Sequence, residues 1–272
     1  MFDKFHRKDD RKSHNYLNLC KYRRICFIRT SPAKRNRAIE RKQRNAMTSS
    51  LSLRVIRGFI RLQLVLAILL FLPAGSFRFW EAWLYWGLFG GSVLFITWYF
   101  LKVDLDFVEL RIRIGPGAEP SKTQQVVQFM AGVLACALFL AAGLEHRLRG
   151  SDLPASIVLV ADSLLVFCMG IIFRVFHTNR YAAGTVRVEV NQQVVSNGPY
   201  ATVRHPLYVA SILGFLATPF ALVSLWALPF GILLCAVVVV RHLDEERFLL
   251  EYLAGYDDYC RHVRYRLIPY LW

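Results

Sequence analysis

Residues 207–240 read LYVASILGFLATPFALVSLWALPFGILLCAVVVV, a run without one charged side chain. As a single helix rising 1.5 Å per residue it would be about 51 Å long, too long for one crossing of a hydrocarbon core of about 30 Å. Pro219 and the Leu222 to Ser224 region offer a place to reverse, so the stretch predicts a hairpin of two membrane helices. Such a hairpin returns the chain to the side on which it entered. The polar residues just before 207 and just after 240 are then expected to face one another.

Working outward, four more apolar stretches are expected near 55–73, 82–101, 126–144 and 154–176, each about 20 residues, the length that crosses a bilayer. The first ends at Pro73 and Gly75, and the second opens with Trp80, Trp83, Tyr85 and Trp86, rings suited to a membrane interface. Across all 272 residues, 55% are hydrophobic and 19% charged, where soluble domains carry about 25% charged residues. These proportions exclude disordered and fibrous classes. They point to an all-α integral membrane bundle of about six helices, counting the hairpin as two.

The formal net charge is +15. Residues 1–47 hold 15 Lys and Arg against 4 Asp and Glu, a balance of +11, which leaves +4 for the rest. The excess therefore describes a basic tail, taken as residues 1–50 and expected to be disordered, and carries no nucleic-acid fold. That tail has no apolar run of the signal-peptide kind. It is read as a polybasic arm on anionic lipid, an Arg-rich targeting segment, or sequence upstream of an alternative start at Met47, with the last weighed most heavily. If the N-terminus is cytoplasmic, the inner loops and C-terminal segment hold Lys102, Arg111, Arg113, Lys122, Arg180, Arg187, Arg204, Arg241, Arg247, Arg261, Arg264 and Arg266. The outer loops hold Arg78, Arg147 and Arg149. This asymmetry agrees with the positive-inside rule and predicts a multi-pass protein with both termini cytoplasmic.

The six cysteines, at 20, 26, 136, 168, 235 and 260, include no CxxC pair. Neither they nor the histidines, His6 and His14 beside Cys20 and Cys26 included, have metal-ligand spacing, so no metal is expected. No GxGxxG loop follows a strand, which removes support for a Rossmann-type cofactor domain.

Chemistry-bearing residues gather at the two ends of the hairpin. Ser196-Asn197-Gly198-Pro199-Tyr200 is turn chemistry, and in Arg204-His205-Pro206-Leu207-Tyr208 the proline suits the first position of a helix. The amides of Leu207 and Tyr208 are expected to point outward, where a carboxylate can bind. After the hairpin, Arg241-His242-Leu243-Asp244-Glu245-Glu246 places Arg241 and Glu245 on one helix face. An intrahelical ion pair is the usual fate of that spacing, although Arg before Glu is its less favourable order. Charges at a membrane helix end that face a cavity are more often functional.

Gly198-Pro199-Tyr200, Arg204-His205-Pro206 with Tyr208, Glu245-Glu246 with Leu249, Gly255-Tyr256 with Tyr259, and the closing Val263-Arg264-Tyr265-Arg266-Leu267-Ile268-Pro269 together resemble the isoprenylcysteine carboxyl methyltransferase family. They resemble the related phospholipid N-methyltransferases too. The resemblance covers mainly residues 176–272. It implies a membrane-embedded methyltransferase using S-adenosyl-L-methionine, with the cofactor entering from the cytoplasm and a membrane lipid or lipidated acceptor entering from the bilayer. Carried over by position, Gln192, Gln193, Val194, Val195, Tyr200, His205, Pro206, Leu207, Tyr208 and Glu245 would contact the cofactor. Arg241 would act on the substrate side as the catalytic residue; Arg204 and Glu246 fall within the motifs without an assigned contact.

A carboxylate acceptor is ionised at neutral pH and needs orientation more than a base, so carboxylate O-methylation is the first expectation. Phospholipid N-methylation is the alternative, and there His205 or a carboxylate would take the amine's proton. A reading from another class is a small transporter or channel built on Asp162, ionisable at membrane depth. A third is a reductase of the same architecture using reduced nicotinamide. Neither nucleic acid nor an obligate protein partner is expected.

Overall fold

The computed structural model describes residues 32–112, 117, 119, 121–150, 153–182, 188 and 192–272, with side chains from Ser49 onward. Expectations that fall on residues 1–31, including those about Cys20 and Cys26, lie outside the described residues. The chain divides into two units, Met1–Met47 and Thr48–Trp272. In the first, the basic segment is helical from Pro32.

Helices follow in the order α1 (Pro32–Ala74), α2 (Trp80–Val103), α3 (Leu105–Ile112), α4 (Lys122–Arg149), α5 (Ala155–Thr178), α6 (Pro206–Ala221), α7 (Leu228–Tyr252) and α8 (Tyr256–His262). A short 3-10 turn covers Gly198–Ala201, and the described residues contain no strand. Four stretches are long and apolar enough to cross a membrane: Ser49–Ala74, Trp80–Val103, Lys122–Arg149 and Ala155–Thr178. They coincide with the four single spans expected from sequence. Pro73 lies inside the last turn of α1, and Gly75, at φ +60°, ends the helix.

The spanning helices bury one stripe and leave another bare. Leu66, Leu70, Phe79, Leu138 and Leu234 form the central core, whereas Leu64, Val160 and Phe167 stay exposed. In lipid that second stripe needs no partner, because hydrocarbon tails are as apolar as leucine. Together the apolar lengths and bare faces make this a multi-pass integral membrane protein.

The expected hairpin is α6 and α7, and its turn covers residues 222–227. Pro219 does not make the reversal. It sits within α6, where it faces Gly231 of α7: a Cβ at Gly231 would stand 2.8 Å from the Phe215 carbonyl and 3.4 Å from the Pro219 ring. The turn itself is held by a buried carboxylate of α4, since Glu145 accepts hydrogen bonds from Ser224 Oγ at 2.7 Å and Trp226 N–H at 2.8 Å. At the other end of α4, Gln124 donates to Asp244 and accepts from Arg241 at 3.1 Å. From Gln124 to Glu145 is about 32 Å of helix, close to a hydrocarbon thickness of about 30 Å. α7 thus runs antiparallel along α4, and the hairpin brings the polar end of α7 beside the start of α6.

Gly231→Val removes the space on which this approach depends. It is expected to destabilise the fold by about 1–3 kcal/mol, as overpacking does, seen as a lower unfolding temperature in detergent. An unchanged transition would mean that the two helices are not in close contact there.

Candidate functional site

The segment entering α6 is folded by its turn residues. Gly198 takes φ +57° and Pro199 opens the 3-10 turn. The chain then runs beside the closing segment, with Arg204 N–H donating to the Tyr265 carbonyl at 2.9 Å and His205 N–H to that of Arg266 at 3.0 Å. Pro206 then begins α6 as expected. One expectation is corrected here. The Tyr208 amide is not free, because it bonds the His205 carbonyl at 3.1 Å in a tight first turn.

Beneath this segment Glu246, 3% exposed, pairs with Arg204 at 3.0 Å and Arg266 at 2.7 Å. His242 is fully buried beside it, its ring edge-on to Trp272 at 5.2 Å and to His205 at 5.3 Å. Among the described residues neither His242 nitrogen has a hydrogen-bond partner.

Above it lies a narrow cavity of about 90 Å³. All ten residues assigned to the cofactor by resemblance line it: Gln192, Gln193, Val194, Val195, Tyr200, His205, Pro206, Leu207, Tyr208 and Glu245. They come from the segment after α5, the 3-10 turn, the start of α6 and the polar end of α7. Tyr208 donates its hydroxyl proton to Glu245 across the cavity. The Tyr200 hydroxyl accepts from Asn179 at 3.0 Å, and its carbonyl accepts from Tyr259 at 2.7 Å. The Tyr256 hydroxyl lies 3.5 Å from His205 Nε2. Asn179, Tyr256 and Tyr259 thus complete a wall for which sequence had assigned no contacts. The two tyrosines stood in the motifs already quoted, but Asn179 carried no signal beyond its place at the end of a span.

Burial sets the protonation states. It lowers the His205 imidazole to about 3, reinforced by His242, Arg204 and Arg266, so the ring is neutral at pH 7. It raises the Tyr200 phenol to about 12, so Tyr200 remains a donor. Burial also raises the Glu245 carboxyl, against the lowering effects of Tyr208 and Arg241. A cation seated beside Glu245 would favour its charged form.

Arg241 is not among the residues lining this cavity. It does not pair with Glu245 along the helix; its Nη2 meets the buried Glu119 at 2.8 Å and its Nη1 donates to Gln124. Neither Glu119 nor Gln124 belonged to a motif. Asp162 is buried within α5, and its two oxygens lack hydrogen-bond partners among the described residues. No group of three His, Cys, Asp or Glu among the described residues is arranged to hold a metal.

A family model described as phospholipid methyltransferase matches residues 157–254, which include most of α5 and all of α6 and α7 with the cavity residues they carry. The match overlaps the motif resemblance from 176 to 254. The chain is also 31% identical over 99 residues to the Delta(14)-sterol reductase TM7SF2 of Mus musculus, across 32% of this chain and 22% of that protein. To the cobalt-zinc-cadmium resistance protein CzcN of Cupriavidus metallidurans it is 34% identical over 76 residues, across 26% of this chain and 33% of that protein. It therefore spans about a fifth and a third of the lengths of these two relatives.

Two outcomes follow from the buried polar groups. Glu246→Gln leaves two guanidiniums facing a neutral amide, and loss of one partner from a buried ion pair costs about 3–5 kcal/mol; denaturant unfolding of the variant checks it. For His205 the folded value lies below the unfolded one. Its contribution to stability is whole above about 6.5 and is lost progressively as pH falls toward about 3. Thermal melts across that window should show a shallower pH slope for His205→Gln than for the unaltered protein; equal slopes would contradict the buried neutral ring.

Proposed function

We propose that this chain is a membrane methyltransferase that takes its methyl group from S-adenosyl-L-methionine and passes it to a lipid-linked or otherwise hydrophobic acceptor, with carboxylate O-methylation first and phospholipid N-methylation second. The observation that carries the reading is the convergence of the ten residues on one cavity beside a membrane hairpin. The family match over the same segment supports it. On this reading the cavity faces the cytoplasm, as do both termini.

The donor set suits such a cofactor, which bears a sulfonium, an ammonium and a carboxylate. Glu245 offers the anion for a positive centre, and neutral His205 and the amide at the start of α6 offer donors for the carboxylate. The Tyr200 phenol, still protonated at pH 7, supplies another donor. The bound group would provide an electrophilic methyl for in-line displacement. The protein's task is then to hold the acceptor's lone pair behind that methyl and to keep water out.

The cavity is smaller than the roughly 300–1,000 Å³ of most ligand sites, and Tyr208 and Glu245 join across it. Seating a nucleoside requires these two side chains to part. Arg241, pinned by Glu119 and Gln124, is a fixed point charge on the polar end of α7. It is proposed to orient the acceptor rather than to hold the cofactor.

The similarity to a sterol reductase favours one second reading, a reductase whose nicotinamide cofactor occupies the same cavity. Calorimetry on detergent-purified protein separates them. Saturable binding of S-adenosyl-L-methionine or its demethylated product is expected. Glu245→Ala should weaken it at least about tenfold, the order expected when a charge-assisted contact of about 1.5–3 kcal/mol is lost. Arg241→Ala should keep cofactor binding within a few-fold while losing transfer of labelled methyl into membrane extracts. Binding of NADPH without S-adenosyl-L-methionine would overturn the proposal in favour of the reductase.

A further inference from the structure

A second cavity, of about 900 Å³, lies between α1, α2, α3 and α5. Its walls are apolar, with Val93 and Phe100 from α2, Phe107 from α3, and Met169 and Ile172 from α5. The α1 wall is different. Arg54, Arg57 and Arg61, at helical spacing that keeps them on one side of α1, line the cavity within a stretch apolar enough to span a membrane. Arg54 stands 3.9 Å from Glu109. Among the described residues Arg57 and Arg61 have no carboxylate at ion-pair distance. Arg111 is a fourth guanidinium on this cavity; burial lowers it to about 10, which leaves it charged at pH 7.

Charged side chains at membrane depth face a cavity or a partner, and they mark binding sites by default. Among the described residues the charged groups lining this cavity are three arginines of α1 and Arg111, with Glu109 near Arg54. The adjoining face of α1, with Leu53, Ile56, Ile60 and Leu64, is exposed and apolar, so this side of the helix borders lipid. An occupant reaches the cavity without leaving the bilayer.

We infer that this cavity is a binding site for an anionic phospholipid, its phosphate held by Arg57 and Arg61 and an acyl chain filling the apolar space toward Phe107 and Ile172. A guanidinium's planar fork of donors meets two oxygens of a phosphate at once. A zwitterionic lipid would bring its own cation to a site already rich in them. Arg111 links this site to the narrow cavity, since its Nη1 donates at 3.1 Å to the Ala182 carbonyl and Ala182 lines that other cavity. The inference does not rest on the methyltransferase reading, because lipid retention is measured without S-adenosyl-L-methionine.

The full chain is delipidated in detergent and reconstituted in nanodiscs of phosphatidylcholine with an equal share of phosphatidylglycerol. Tightly held lipid is then counted by native mass spectrometry after re-extraction. Phosphatidylglycerol is expected to be retained at least tenfold over phosphatidylcholine. The joint change Arg57→Gln with Arg61→Gln should abolish that preference, while Arg78→Gln, outside this cavity, should leave it intact. Gly58→Leu keeps every arginine and strengthens the helix; no other group lies within 4 Å of its Cβ position. Its side chain should block the cavity and reduce retention of the lipid. Equal retention of both lipids, full retention by the joint variant and Gly58→Leu alike, or displacement of the lipid by inorganic phosphate alone would overturn the site.

Discussion

A carboxylate buried between two guanidiniums fixes the polar end of this molecule. Glu246 belongs to α7, Arg204 to the segment that enters α6, and Arg266 to the segment that closes the chain. Three stretches distant in sequence are thereby tied at one point, and the backbone bonds from Arg204 and His205 to residues 265 and 266 continue the tie. A buried ion pair is poor at raising stability in itself, because desolvation offsets most of the attraction. Its value here is registry. With Glu246 committed to the arginines, Glu245 one position earlier turns to the cavity, where it meets Tyr208. A shift of α7 by one residue would rotate it by about 100° and carry Glu245 away from that contact.

The opposite end of the hairpin is fixed by a different device with the same logic. Glu145 gives α4 a single buried acceptor that takes up donors from Ser224 and Trp226. Ser224 in turn accepts from the Ala227 amide at 3.0 Å. Ser224 is buried, and polar groups of a buried turn need such partners. The length of α4 between Glu145 and Gln124 then sets how far α7 runs before its charges begin. Arg241 and Asp244 meet Gln124 at the level where the apolar part of α7 has ended. The fold therefore measures the hairpin against α4.

Sequence made the spans and the hairpin legible because hydrophobic length is a local property, and Pro206 marked the start of α6 for the same reason. Local signals also misled. Pro219 looked like a reversal but is tolerated within α6, where its ring packs beside Gly231. The spacing of Arg241 and Glu245 allowed a pair along one helix, against which the order Arg before Glu counted, and Arg241 instead meets Glu119, which lies in a loop preceding α4. No periodicity announces such a partner. The cavity residues were legible through motif resemblance, and their gathering depends on the hairpin that composition alone predicts. Asn179 and Gln124 were not legible, since a single amide at a helix end reads equally as a cap or as exposed polarity.

The Tyr208 and Glu245 contact also bears on how the narrow cavity is kept ready. A carboxylate lining an apolar membrane hairpin is costly without a donor, and the tyrosine provides one that carries no charge. Burial nonetheless pushes the Glu245 carboxyl up, so the contact compensates the desolvation only in part. A cationic ligand would supply the rest of the stabilisation and release Tyr208 to become a donor or a wall. An anionic ligand in the same place would add repulsion to desolvation. On the proposed reading the cavity would favour a positively charged group beside Glu245 and a negative one on the His205 side, where Arg204 and Arg266 act on the ring. That separation of charge within one small cavity, imposed by the registry of α7 against α6, is what a zwitterionic ligand with a fixed orientation requires.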